Sequence, residues 1–251
     1  DDSHYAQIIA GTITSNVDAL TLGHASADFN IPVKVLGTTP TLTIGDAGAE
    51  DTKIVFDGNA QDFHIGLDDS SDDLVIGLGS TLGTTSHIVI NEAGIITKPL
   101  QTYVFAYANA DQTLDADDAD KTVALNAELK DTNADFNTTT YTFTAPVDGA
   151  YFVNGFYRFT GDTSTNATDW FLKFTASNGT ETVWTGNPSV WECGSGSAYS
   201  KSVNVSKTIY MDASDTLTMT TDVYSGGSHT YDIDGSANSY AATSMQIFLL
   251  G

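Results

Sequence analysis

The stretch GAYFVNGFYRF, residues 149–159, carries the fold. Drawn out as a strand, it places Tyr151, Val153, Tyr157 and Phe159 on one face, because successive strand side chains point to opposite sides. Phe152 and Phe156 fall on the other face, beside Asn154 and the single arginine, Arg158. Apolar side chains on both faces predict that both are covered. In a two-layer sandwich one face meets the second sheet, which leaves the other for a partner, most simply another subunit.

Similar short segments flank it at 103–107, 121–126, 140–144, 170–176, 180–185, 201–211, 215–224, 229–233 and 243–250. Gly, Asn, Asp and Ser clusters separate them. Ten such strands in one half of a chain predict an all-β sandwich or jelly roll. Charged residues make up only 16% of the 251 residues, and runs of Leu, Glu, Lys and Arg that would suggest helices are missing.

Aromatic residues divide the chain. Residues 1–98 hold four, Tyr5, Phe29, Phe56 and Phe63, and residues 99–251 hold the other 22. Aromatics supply much of a core's buried area, so the second part can build a core by itself and the first is not expected to. The first part is nonetheless patterned. LTLG at 20–23, LTIG at 42–45, KIVFDG at 53–58, FHIGLD at 63–68, LVIGLG at 74–79 and HIVI at 87–90 are short apolar strands closed by turn residues. Within them Asp51, Asp62 and Asp73 recur every eleven residues, as do Ile54, Ile65 and Ile76. A short strand-turn unit cannot cover its own apolar face and must stack on neighbours or on other chains. The expected organisation is an N-terminal attachment arm over 1–19, a β-rich shaft over 20–98 and a globular head over 99–251, with NEAGIITKP at 91–99 as the junction.

Nine Lys plus Arg face 32 Asp plus Glu, a formal net charge of −23. Such a polyanion repels nucleic acid and anionic membranes, which counts against both as direct partners, and it attracts divalent cations. No run of 18 apolar residues is present to span a bilayer, and the N-terminus carries no signal-peptide pattern. The lone Cys193 excludes an intrachain disulfide.

YTFTAPVDGAYFV at 141–153 resembles the signature of C1q-type globular heads, with Phe143, Pro146, Gly149, Tyr151 and Phe152 at the matching places. FLKFTASNGT at 171–180, SVNVSKTIYMDASDTLTM at 202–219 and MQIFLLG at 245–251 resemble later elements of that family in the same order. In the second of these, Ser214-Asp215 stands where the family usually carries Gly-Asp. The resemblance implies a ten-strand jelly roll of the C1q and tumour-necrosis-factor type over 101–251, assembled as a homotrimer on an elongated stalk. No Gly-X-Y period is present, so the stalk is not collagen. Residues 42–98 instead resemble repeats in structural proteins of marine phages, particularly those of cyanobacteria. Together the two resemblances imply a phage fibre or spike.

Candidate sites follow from residue type. Trp184, Trp191 and Tyr199 lie on or beside a Gly-, Ser- and Asn-rich loop, where rigid aromatics suit contacts to a host-surface glycan or protein. Trp side chains also fill cores and interfaces equally well. Asp232, Asp234 and Asn238 surround an Asp-Gly turn and form a candidate Ca2+ site, although Asp-Gly is also an ordinary hairpin signal. DQTLDADDAD at 111–120 is a second acidic stretch, without the glycine and distal glutamate of an EF-hand loop. The loop 186–200, which precedes a strand beside which some C1q-like proteins bind calcium, holds one acid, Glu192. The five histidines show no metal-ligand spacing, no GxSxG elbow or phosphate loop occurs, and Cys193 has no histidine near it in sequence.

The expectation is therefore a non-enzymatic, extracellular, virion-surface protein. Its shaft would dock on other virion proteins through the N-terminal segment and its trimeric head would bind the host. Three alternatives remain: a capsid decoration or head fibre without a receptor role, a secreted C1q-like lectin or adhesin, and a depolymerase using a carboxylate pair among the many acids.

Overall fold

The eleven-residue period predicts a meander, and the register realises it. The computed structural model describes residues 32–115, 120–161, 169–179, 181–186, 199–224, 230–236 and 242–250. Strands β1 (Thr52–Phe56), β2 (Phe63–Asp68), β3 (Asp73–Leu78), β4 (Ser86–Ile90) and β5 (Ile96–Thr97) form one antiparallel sheet in that order. Ile54 lies opposite Ile65, and Ile65 opposite Ile76. In an antiparallel meander, a sequence repeat whose units keep length puts equivalent residues side by side. The next isoleucine, Ile88, comes twelve residues on and still pairs with Ile76, because a bulge beyond Ile76 takes up the extra residue.

One face of this sheet is covered by its own chain. His64, Gly66, Val75 and Gly77 are buried there, beneath the loop after β3, which drops Leu82 onto them. A Cβ at Gly66 would stand 3.0 Å from Leu82 Cδ1, and one at Gly77 would stand 2.6 Å from His64 Nε2. The small residues are what let loop and ring approach. The His64 Nδ1 faces the Gly79 carbonyl at 2.8 Å.

Chain contacts separate residues 1–46 from 47–251. The LTIG strand expected at 42–45 does not form, since no strand among the described residues pairs with it and Leu42 stays exposed. LTLG at 20–23 and the arm at 1–19 lie outside the described residues. Of the junction segment 91–99, the first part is a hairpin turn. Asn91 accepts the Ile95 N–H through Oδ1 at 2.9 Å, and β5 then returns along β4.

From Tyr103 onward two sheets face each other. The first contains β6 (Tyr103–Tyr107), β9 (Ala127–Asp131), β12 (Gly149–Gly161), β15 (Tyr199–Met211) and β18 (Ser244–Leu249), in the order β9-β6-β18-β12-β15. Two more strands, β7 (Gln112–Asp115) and β17 (Thr230–Ile233), extend it beside the end of β12. The second contains β10 (Phe136–Asn137), β11 (Thr142–Thr144), β13 (Asp169–Ala176), β14 (Glu181–Gly186) and β16 (Thr216–Tyr224), in the order β10-β11-β16-β13-β14. The short β8 (Lys121–Thr122) also pairs with β16. Eight of the twelve steps between consecutive strands from β6 to β18 pass from one sheet to the other, as in a jelly roll. No described residue is helical.

The inner faces supply the core. Val104, Tyr151, Val153, Tyr157, Ile209, Met245 and Ile247 of the first sheet meet Phe143, Leu172, Phe174, Leu217 and Met219 of the second. Each large side chain so buried contributes roughly 1.5–3 kcal/mol before entropy is counted. Phe143 and Tyr151 meet edge to face at 5.5 Å, and the Tyr151 hydroxyl donates to the Val147 carbonyl at 2.7 Å. The strand expected at 121–126 ends early. After Thr122 the chain turns inward and buries Val123 and Leu125.

Candidate functional site

The outer face of the first sheet is built by period-two alternation in three strands remote in sequence. In β6, Val104 and Ala106 point inward and Tyr103, Phe105 and Tyr107 outward. In β12, Phe152, Asn154 and Phe156 point outward, and in β18 so do Gln246 and Phe248. Register then aligns them in rows. Tyr103, Phe248 and Phe152 lie side by side, as do Phe105, Gln246 and Asn154, and Tyr107, Ser244 and Phe156. The Tyr103 and Phe248 rings stack with centroids 4.7 Å apart, and Phe152 sits tilted at 6.3 Å from Phe248.

These six aromatics remain partly exposed, Phe248 the most at 37%. Polar residues of β15 border them, and Asn204 donates to Asn154 Oδ1 at 3.0 Å. On the other side lies β9 with Lys130. An aromatic centre inside a polar rim is the anatomy of a protein interface. On a chain of net charge −23, an uncharged stripe is also where like-charged copies can approach without repulsion. The sequence pointed to Phe152 and Phe156 but missed Tyr103, Phe105, Tyr107 and Phe248. The alternating aromatics of YVFAY at 103–107 were the available signal.

The loop candidates are placed only in part. Trp184 lies on β14, opposite Leu172 of β13, and Tyr199 opens β15, opposite Gly161. The two strands are edge strands of different sheets. Trp191 lies outside the described residues.

The acidic candidates have internal partners. Asp232 on β17 accepts the Thr113 hydroxyl at 2.7 Å. Asp234 is buried, and its carboxylate forms an ion pair with the Arg158 guanidinium. Asn238 lies outside the described residues. Within the acidic stretch at 111–120, residues 112–115 form β7 and pair with β17. Asp111 caps the neighbouring turn by accepting the Gly235 N–H at 2.9 Å. The two acidic stretches therefore meet as adjacent strands, with hydroxyl, amide and guanidinium donors on Asp232, Asp111 and Asp234. Among the described residues no three His, Cys, Asp or Glu side chains gather as a metal site. A carboxylate balanced by a guanidinium suits a cation poorly, so Asp234 is a counter-ion to Arg158.

No family model matches the sequence, and no curated protein matches it. Among solved structures, the globular domain of zebrafish complement 1qA protein is similar over 60% of this chain and 98% of its own, at 18% identity and a TM-score of 0.37. The Eiger TNF of S. frugiperda is similar over 60% of this chain and 93% of its own, at 12% identity and a TM-score of 0.41.

Proposed function

We propose that the chain is a non-catalytic, homotrimeric fibre or spike protein of a virion surface, whose jelly-roll head contacts a glycan or protein on the host. The observation that carries this reading is the row of six outward aromatics on β6, β12 and β18. A face of this composition calls for a partner, and a further copy of the chain offers the same uncharged chemistry. The strand-turn repeat ahead of the head, and its resemblance to marine phage structural proteins, support a virion appendage over a free-standing lectin. Three equivalent heads on one stalk make weak single contacts sufficient, because binding at the second and third sites becomes intramolecular.

The test is immunogold labelling of particles with an antibody against the full chain, together with binding of the purified chain to intact host cells. Label on fibres, with cell binding that saturates, supports the proposal. Label spread over the shell without cell binding moves the protein to capsid decoration. Label absent from particles and present on secreted material makes it a cellular adhesin.

A further inference from the structure

The meander β1–β5 has a second face, and nothing in the described chain covers it. Register puts Ile54 and Phe56 of β1, Phe63, Ile65 and Leu67 of β2, and Leu74, Ile76 and Leu78 of β3 on this side. Ile88 and Ile90 of β4 and Ile96 of β5 continue it. The bulge adds His87, whose ring lies 5.9 Å from that of Phe63. The sheet's acids, Asp68 and Asp73, fall on the opposite side. The large apolar side chains thus face out, while the small and self-covered ones face in. Phe56 is 60% exposed, Ile96 62% and Leu74 39%.

We infer that this face is an interface between copies of the chain, three of which close their sheets around a shared apolar centre. The inference deepens the homotrimer reading and rests on it. Exposure is the first argument. Six of the eleven side chains, Ile54, Phe56, Phe63, Leu67, Leu74 and Ile96, are between 39% and 62% exposed, on strands that lie side by side in one sheet. Contiguous exposed apolar patches of this kind mark interaction surfaces. Charge is the second. The chain's large negative charge disfavours close approach of copies everywhere except on faces without acids, and this is such a face. Continuity is the third. The sheet leads directly into the head: four residues after β5, Gln101 donates through Nε2 to the Leu249 carbonyl at 2.7 Å, at the end of β18 and next to the aromatic row. Copies joined through the aromatic row would hold these sheets close together, which raises the effective concentration of one apolar face for another.

The test uses the full chain and two substitutions of equal chemistry on opposite faces. Leu74→Glu places a carboxylate on the open face, and Val55→Glu places one on the other face, where Val55 is 37% exposed. Solution mass and the rate of proteolysis within 52–97 are read together. The expected result is a three-chain mass for all three proteins, wild-type cleavage for Val55→Glu, and cleavage faster by about tenfold or more for Leu74→Glu. In water a glutamate at a 39%-exposed strand position is tolerated; between copies three carboxylates are forced together. Wild-type cleavage of a trimeric Leu74→Glu overturns the inference and leaves the homotrimer standing. Equal acceleration by both substitutions overturns it too, since the sheet is then merely fragile. A monomeric wild-type chain overturns both readings, and protection of 52–97 in that monomer assigns the cover to the same chain.

Discussion

Gly155 tests the sandwich at its tightest point. It lies on the inner face of β12 between Val153 and Tyr157. A Cβ added there would stand 2.6 Å from Phe174 Cζ, 2.9 Å from Phe174 Cε1 and 3.0 Å from Met219 Sδ. Carbon contacts relax at about 3.5–4.0 Å, so the Phe174 ring has to retreat by close to 1 Å. Phe174 and Met219 are both fully buried, and a close-packed core has little room to give. Overpacking of this kind costs about 1–3 kcal/mol. Against it, alanine holds a strand better than glycine by about 0.5–1 kcal/mol. The steric term wins, and Gly155→Ala is expected to destabilise by about 1–2 kcal/mol. Phe174→Leu alone removes ring atoms and leaves a cavity, at about 1–2 kcal/mol. Together the two should cost about 1 kcal/mol less than their sum, because the leucine vacates the space the new methyl needs. Urea unfolding at one fixed protein concentration measures all four corners, since association adds to stability. A neutral Gly155→Ala, or strict additivity, would refute the packing of β12 against β13 and β16.

Asp131 organises the turn between β9 and β10. Its Oδ1 accepts the Asp135 N–H at 3.0 Å and its Oδ2 accepts the Phe136 N–H at 2.8 Å. Asp131→Ala should cost about 2 kcal/mol, with hydrogen exchange accelerated first at residues 133–136. Asp135 gives a pH dependence of definite sign. Partial burial, with Asp131 adding to it, raises its folded pKa above the ordinary Asp value, against lowering hydrogen bonds from Asn133 and Thr102. The folded chain then binds more proton than the unfolded one between those two values, so this group's contribution to stability falls as pH rises through that window. Asp135→Asn should gain in melting temperature relative to the parent above the window and lose that advantage below the ordinary Asp value. Glu128 shifts the same way, through burial and then Asp131.

Strands that alternate and bury one side were legible in the sequence. β6, β12, β13, β15, β16 and β18 each carry a clear inner row, and their bounds came close to those expected. Strands whose only reason for being extended is a partner were not. AELKD at 127–131 has no buried apolar row, its Leu129 being 56% exposed, and it suits a helix by propensity, yet it pairs with β6 as an edge strand. QTLD at 112–115 was lost in an aspartate-rich run and is held by β17. Ser214 illustrates the reverse case. It stands where the resembling family usually has glycine, and it takes the left-handed conformation, φ 75°, that glycine favours. Its neighbour Asp215 accepts the Asp212 N–H at 2.9 Å to close the turn. The aromatic row was half visible. A single strand shows which side its residues take, but only register brings Phe248 beside Tyr103 and Phe152. The eleven-residue period was visible as a repeat, while its meaning depended on the meander that sets Ile54, Ile65 and Ile76 abreast.

Both outward apolar faces lead to the same expectation of self-association, and the solution mass of the full chain addresses it most directly. Light scattering across a hundredfold dilution should give three times 26.5 kDa, about 80 kDa. Phe248→Glu, which puts a carboxylate into the centre of the aromatic row, should lower that mass while the circular dichroism of the sheets is unchanged. A wild-type chain that stays at 26.5 kDa at every concentration would contradict the account, because two apolar faces would then be standing in water.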